Sequence, residues 1–231
     1  MDIESIKAVA FDAVGTLIYP TPTVIESYYL FGKKHGSLLT MDEVKKKFEE
    51  ANIIQKKIDI ENNFLTSEDR EMERWREIVT YVFDDVGDFE KCFNELHDYF
   101  SFPESWPLCP GTKELLEYLN KRGVRTIVAS NFDYRLKNIV KKTIIGKMCE
   151  TVLVSSKLGC RKPHSDFFIS ICNELKLPKE NILYVGDDFE NDYQGAQTIG
   201  MPAILLDKNT EGKNVFKSLE ALSEEIKTAY N

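Results

Sequence analysis

No stretch of this 231-residue chain approaches the roughly 18 uninterrupted apolar residues of a membrane-spanning helix, so no membrane partner is expected. The opening Met1-Asp2-Ile3-Glu4 has neither the basic start nor the long apolar core of a signal peptide. Cysteine is sparse: Cys92, Cys109, Cys149, Cys160 and Cys172 are odd in number, scattered, and never spaced C-x-x-C. That pattern argues against disulfides or a thiolate metal site and for structural thiols in a reducing compartment. The expected location is therefore cytoplasmic. Positive charge is in deficit, with 30 Lys and Arg against 38 Asp and Glu and a formal net charge of −8. This argues against nucleic acid or an anionic membrane surface as a general partner but leaves room for a small anionic substrate in a locally positive site. Only three histidines occur, His35, His97 and His164, far apart in sequence, and no obvious base stands ready to activate a Ser or Cys nucleophile. No internal repeat or low-complexity tract is present.

What the chain does have is a set of short apolar runs, each ending in polar residues. Ala8–Phe11 runs into Asp12 to Thr16, Thr126–Ala129 into Ser130-Asn131-Phe132-Asp133, and Ile182–Val185 into Gly186-Asp187-Asp188. Thr151–Val154 and Ala203–Leu206 are two further candidates. Between them lie helical spacings over Gly111 to Lys121, Asp166 to Leu175 and Tyr193 to Ile199. Buried strands alternating with helices predict an α/β fold with helices on both faces, and such sheets bind ligands at the strands' carboxyl ends. The stretch after the first strand differs. It holds no convincing strand, and helical spacing recurs in Met41–Asn52, Asp69–Val82 and Phe89–Tyr99. Pro20-Thr21-Pro22 and Pro103 through Pro110 bracket it. The expected organisation is an α/β core of residues 1–18 and 104–231 with an all-helical insertion, residues 19–103, forming a lid over the site.

The strand ends carry the chemistry. A carboxylate at the tip of a buried strand is costly unless its charge is used. Asp12 fits a nucleophile, because aspartate is ionised at neutral pH without a partner base. Gly186-Asp187-Asp188-Phe189-Glu190-Asn191-Asp192 places four acids behind another strand; beside Asp12 they would repel unless a cation were present. A hard divalent ion such as Mg²⁺ binds through one or two carboxylates plus a substrate phosphate. Lys162, in Gly159-Cys160-Arg161-Lys162-Pro163, offers compensating charge. Ser130, Asn131 and Thr16 offer hydroxyl and backbone N–H groups for phosphoryl oxygens. Taken singly, each of these also reads as a cap, a turn or a solvated loop.

In order, and each at a strand end, the set resembles the haloacid dehalogenase-like hydrolase superfamily. The matching stretches are Phe11-Asp12-Ala13-Val14-Gly15-Thr16-Leu17, Ala129-Ser130-Asn131-Phe132-Asp133, Arg161-Lys162-Pro163 and Gly186-Asp187 through Asp192. Tyr193-Gln194-Gly195-Ala196 and Ser130 to Leu136 look closest to its rhythmically expressed Reg-2-like branch. The resemblance implies a Rossmann-like parallel sheet flanked by helices, with a helical cap. It also implies Mg²⁺ as cofactor, held by Asp12, the backbone carbonyl of Val14 and Asp187, with Asp192 supporting the metal or Lys162. Asp12 would be the nucleophile, Ser130 would bind the transferring group, and Lys162 would neutralise charge. Asp188 is a further candidate close to the metal.

One departure restricts the implied activity. The superfamily's phosphatases typically carry a second Asp, two residues after the nucleophile, that protonates the leaving alkoxide and later assists water. Val14 can do neither. General acid–base help contributes typically about 10²–10⁴-fold, so alkyl phosphates should turn over slowly while aryl phosphates, acyl phosphates and halide suffer less. A small phosphorylated substrate acted on by a monomer or weak homodimer is the leading expectation. The alternatives are a haloacid dehalogenase and a pseudoenzyme that binds a phosphorylated ligand. The dehalogenase reading lacks an early cap arginine, since the first in the chain is Arg70. Asp133 is a candidate substitute for the missing acid. Tyr28, Tyr29, Phe48, Phe64 and Trp75 either line a substrate pocket or pack the insertion's core.

Overall fold

A computed structural model of the chain describes residues 5–229, so the reading of Met1 to Glu4 lies outside the described residues. All five apolar runs form strands and a sixth joins them. They are β1 (Ala8–Phe11), β2 (Arg125–Ser130), β3 (Val152–Val154), β4 (Ile182–Gly186), β5 (Ala203–Leu206) and β6 (Val215–Phe216). Every pairing is parallel, in the order β3-β2-β1-β4-β5-β6. With only two residues, β6 is too short to leave a readable pattern. The wholly buried β1 sends Val9 and Phe11 into one apolar cluster and Ala8 and Ala10 into the other, as the two-residue strand period requires. The small alanines share their cluster with Phe167 and Phe168 of the helix Ser165–Leu175. The opposite cluster takes in Leu115, Leu116 and Leu119 of the helix Thr112–Lys121, and Leu219, Leu222 and Ile226 of Leu219–Ala229. Helices thus cover both faces. Because β2 and β4 flank β1 on opposite sides, the strand order switches at β1, and a ligand crevice is expected at its carboxyl end.

Between β1 and Thr112–Lys121 the chain forms four helices: α1 (Val24–Lys34), α2 (Met41–Glu61), α3 (Glu68–Val82) and α4 (Phe89–Tyr99). The spacing located α3 and α4 closely, but it missed α1 and ended α2 at Asn52. Beyond that point Ile53, Ile54 and Ile60 face outward, 57%, 40% and 56% exposed, so the amphipathic stripe fades while the helix continues. Both α1 and α2 begin with a reciprocal capping box, Thr23 with Glu26 and Thr40 with Glu43. No helix among the described residues is long and apolar enough to cross a membrane.

The four helices share one core with the sheet, running from Phe11 and Leu17 through Tyr28, Val44 and Ile78 to Phe100 and Trp106. A second contact lies beside Lys162. Leu65 and Cys160 form an antiparallel bridge; the Thr66 N–H donates to the Gly159 carbonyl at 3.0 Å and the Arg161 N–H to the Phe64 carbonyl at 2.9 Å.

The helix expected over Tyr193 to Ile199 is corrected. A π-helical turn, Phe189–Gln194, comes first, and a single α turn, Gly195–Thr198, follows. Asp188 caps the wider turn, its Oδ1 accepting from the Glu190 and Asn191 N–H groups at 2.9 and 2.8 Å. Such a turn breaks the 3.6-residue spacing locally, and here Asp192, carried on it, reaches back toward β1.

Candidate active site

Asp12 follows β1 directly, is 6% exposed, and donates its N–H to the Val185 carbonyl of β4 at 2.8 Å. A buried carboxylate needs a charged partner. Lys162 supplies it: its Nζ donates to Asp12 Oδ1 at 2.6 Å, to Asp192 Oδ1 at 2.6 Å and to Tyr184 Oη at 2.9 Å. Tyr184 passes its own proton to the Ala129 carbonyl at 2.7 Å. Burial works against the ammonium, but Asp12 and Asp192 outweigh it and hold Lys162 well above the usual lysine range. The sequence reading missed Tyr184. Its one signal is a phenol in an otherwise aliphatic buried strand, Ile182-Leu183-Tyr184-Val185, where the hydroxyl must find a partner.

Asp187 stands on the same cleft. One carboxylate oxygen from each of Asp12, Asp187 and Asp192 lies within 4.8 Å of the others. Two glycines admit these acids, since a Cβ at Gly15 would collide with the Asp187 carboxylate and one at Gly186 with that of Asp192. Gly15 also has φ +87°, a backbone conformation natural only to glycine. Three carboxylates share one ammonium, which leaves two negative charges uncompensated when all are ionised. The excess is visible in Asp187. Although its residue surface is exposed, the protein around its carboxyl together with the charges of Asp12 and Asp192 raises it to about 7. Burial, reinforced by Asp12, likewise pushes Asp192 up against the pull of Lys162. Hard oxygen donors with two surplus negative charges fit a divalent cation.

The remaining expected residues fall into place unevenly. Ser130, Asn131 and Val14 line the same cleft. Buried Thr16 points its hydroxyl at Asp187 Oδ1, a long 3.4 Å. The Asn131 side chain also clamps the Lys162 backbone, accepting from its N–H at 2.8 Å and donating to its carbonyl at 3.1 Å. Asp188 N–H donates to Asp192 Oδ2 at 3.0 Å, so Asp188 orients Asp192. Asp133 is unsuited to replace the acid missing at position 14. Its carboxylate is 7% exposed and wrapped by the Arg135 guanidinium at 2.7 to 3.1 Å, with the Arg135 N–H at 3.0 Å. The histidines remain dispersed: His35 meets Glu95, His97 stacks on Phe93, and His164 caps Ser165–Leu175.

Two cavities open from the cleft. One, of about 250 Å³, shares Val14 and Asn131 with it and is walled by Tyr28, Phe48, Trp75, Phe100, Trp106 and Phe132. The other, of about 490 Å³, shares Lys162, Asp188 and Asn191 with the cleft but not Val14, and Phe64 lines it. Tyr29 lines neither. Arg74 and Arg161 border both cavities, and both are matched: Arg74 pairs with Asp59 and Glu71, and Arg161 with Glu71 at 2.5 Å and Asp59 at 3.6 Å. Arg70 is held away by Glu73, Glu77 and Gln55. This network joins sites about ninety residues apart in the chain, which is why no local pattern announced it.

Removing the ammonium should be costly. Lys162→Met leaves the Asp12 and Asp192 carboxylates buried with no cation between them, a change worth roughly 3–5 kcal/mol. For a chain of this length that lowers Tm by about 6–20 °C. Scanning calorimetry would show it, and a shift below about 2 °C would mean the pair contributes little.

The family model of the haloacid dehalogenase-like hydrolases matches residues 6–200. The chain is 27% identical over 214 residues to haloacid dehalogenase-like hydrolase domain-containing protein 3 of Xenopus laevis, covering 90% of this chain and 87% of that one. To the rhythmically expressed gene 2 protein of Drosophila melanogaster it is 26% identical over 216 residues, covering 87% and 82%. Among solved structures, magnesium-bound YfnB of Bacillus subtilis superposes with a TM-score of 0.79 at 16% identity, over 96% of this chain and 99% of that one.

Proposed function

We propose, for a chain that belongs to the haloacid dehalogenase-like hydrolase family in its Reg-2-like branch, that the hydrolysis it performs is Mg²⁺-dependent removal of a phosphoryl group from a small molecule. One observation carries this reading: Lys162 shared at 2.6 Å by Asp12 and Asp192, with Asp187 alongside and two negative charges in excess. Lys162 engages Asp12 Oδ1, so Oδ2 is the oxygen that attacks phosphorus and forms an aspartyl-phosphate, which water then cleaves. Lys162 pairs with Asp12 and faces the charge that develops on the phosphoryl oxygens. The Ser130 hydroxyl and the turn it begins hold the transferring group, while Asn131 and Tyr184 fix Lys162 in place. Asp12, Asp187 and the Val14 carbonyl would hold the Mg²⁺, and Thr16 steadies Asp187. When bound, the ion neutralises the surplus negative charge and stabilises the phosphoryl oxygens.

Residues 19–103 serve, in this reading, as a cap over a core of 1–18 and 104–231. The protein works in the cytoplasm as a monomer or weak homodimer; all five cysteines are free, which suits a reducing compartment. A dehalogenase would need an uncommitted cation for its substrate carboxylate, but Arg74 and Arg161 are already paired with Asp59 and Glu71. The test is a panel with and without Mg²⁺. Phosphate should be released from 4-nitrophenyl phosphate and acetyl phosphate, and chelation by EDTA should abolish release. Halide release from a haloacid in EDTA would favour the dehalogenase. Folded protein inactive on everything would favour the ligand-binding pseudoenzyme.

A further inference from the structure

The 250 Å³ aromatic cavity has the properties of a leaving-group site. It meets the Asp12 cleft at Val14 and Asn131, so a group carried by a phosphoryl bound beside Asp12 can extend into it. The larger polar cavity does not reach Val14. Its walls are ring faces: Tyr28 stands edge-on to Phe48 at 5.0 Å and stacks on Trp75 at 6.4 Å, and Trp106 meets Phe132 edge-on at 5.8 Å. A cavity of about 150 Å³ suffices for benzene, so this volume admits one substituted ring.

Two polar features narrow the occupant further. The Tyr28 side chain is wholly buried, yet its hydroxyl has no hydrogen-bond partner among the described residues. A buried unsatisfied hydroxyl is costly unless a ligand completes it. The bordering guanidiniums of Arg74 and Arg161 are neutralised by Asp59 and Glu71, so a second anionic group on the leaving moiety would find no free cation there. The polar groups that share the lining are already engaged, Asn52 with the Phe48 carbonyl, Glu71 with Arg74 and Arg161, Asn131 with the Lys162 backbone and Asp133 with Arg135, so a sugar's many hydroxyls would find few free partners.

Resting on the phosphatase reading, we infer that the substrate is an aryl phosphate monoester. Its single ring seats in the aromatic cavity, and a hydrogen-bond acceptor on the ring takes the Tyr28 hydroxyl proton. The chemistry agrees with the absence of an acid at position 14. As the Asp12 oxygen bonds to phosphorus, the P–O(aryl) bond breaks and its electron pair leaves on a phenolate, which needs no proton to depart. Water then adds its oxygen to phosphorus, releasing hydrogen phosphate and the Asp12 carboxylate. The remaining water proton reaches the phenolate through solvent.

Both tryptophans of the chain, Trp75 and Trp106, line the cavity, so their emission reports its occupation. In wild-type protein with Mg²⁺, phenylphosphonate should change tryptophan emission saturably, and methylphosphonate should not. Tyr28→Phe should lower the ratio of kcat/KM for 4-nitrophenyl phosphate over acetyl phosphate about 3- to 10-fold, the worth of one neutral hydrogen bond. Its Tm should stay level or rise, because a buried unpaired hydroxyl is removed; a merely structural role for Tyr28 would lower the Tm and leave the ratio alone. An unaltered ratio, or equal responses to the two phosphonates, overturns the inference. If neither phosphate ester is hydrolysed while phenylphosphonate still binds, the phosphatase reading falls and the cavity stands as an aromatic ligand site.

Discussion

Asp12→Asn should lower kcat by at least about four orders of magnitude, the scale on which loss of a covalent nucleophile is felt. The amide preserves the shape of the side chain, but it carries no charge and offers no oxygen able to form an acyl phosphate that water can cleave. The fold should survive. Lys162 keeps Asp192 at 2.6 Å and Tyr184 at 2.9 Å. Asp187, raised by its surroundings and then by the charges of Asp12 and Asp192, loses the first of those charges, so the cluster's mutual repulsion eases. Steady-state kinetics on 4-nitrophenyl phosphate, with circular dichroism to confirm folding, measure both effects. Residual activity above about 3% of wild type would remove Asp12 from the nucleophile's role; such a threshold is generous against the rate loss expected.

Val14→Asp is expected to act in the opposite direction, and selectively. Val14 is half-buried where the cleft meets the aromatic cavity. A carboxyl there would be a fourth acid beside Asp12, Asp187 and Asp192, and their charges would raise its pKa toward the range in which it can donate a proton. Turnover of alkyl phosphates should rise about 10²-fold or more, the lower end of what general acid catalysis contributes. Aryl phosphates, whose leaving groups depart unprotonated, should gain far less. Comparing kcat/KM for an alkyl and an aryl ester in wild type and variant reads the difference. Equal gains on both would show that another residue already donates the proton.

The parts of this site that sequence disclosed are those set by strand ends. A buried run must stop where its polar residues begin, so Asp12, Ser130 and Asp187 were placed by the same rule that placed β1, β2 and β4. Lys162 belongs to no strand; the need for charge to offset the acids suggested it, and its resemblance to a known motif gave it a role. Its partner Tyr184 and the clamping role of Asn131, itself a named candidate, were hidden, because both depend on which way a side chain turns. The Asp59, Glu71, Arg74 and Arg161 cluster was hidden for a different reason. Only Glu71 and Arg74 stand at helical spacing, while Asp59 and Arg161 meet them solely through tertiary closure. Helix α1 was legible after all in Thr23-x-x-Glu26, a capping box that deserved as much weight as the apolar periodicity.

Arg161 and Lys162 are consecutive, their Cα atoms about 3.8 Å apart by the geometry of a trans peptide. The first is tied to α2 and α3 through Asp59 and Glu71, and the second to Asp12 and Asp192. Any opening that lifts those helices from the sheet must break the Arg161 pairs, and the resulting pull enters the chain one residue from the lysine whose ammonium pairs with Asp12. The grip on the two helices and the pairing of the cleft's carboxylates therefore rest on a single dipeptide, so a strain on one is felt by the other across one short length of backbone.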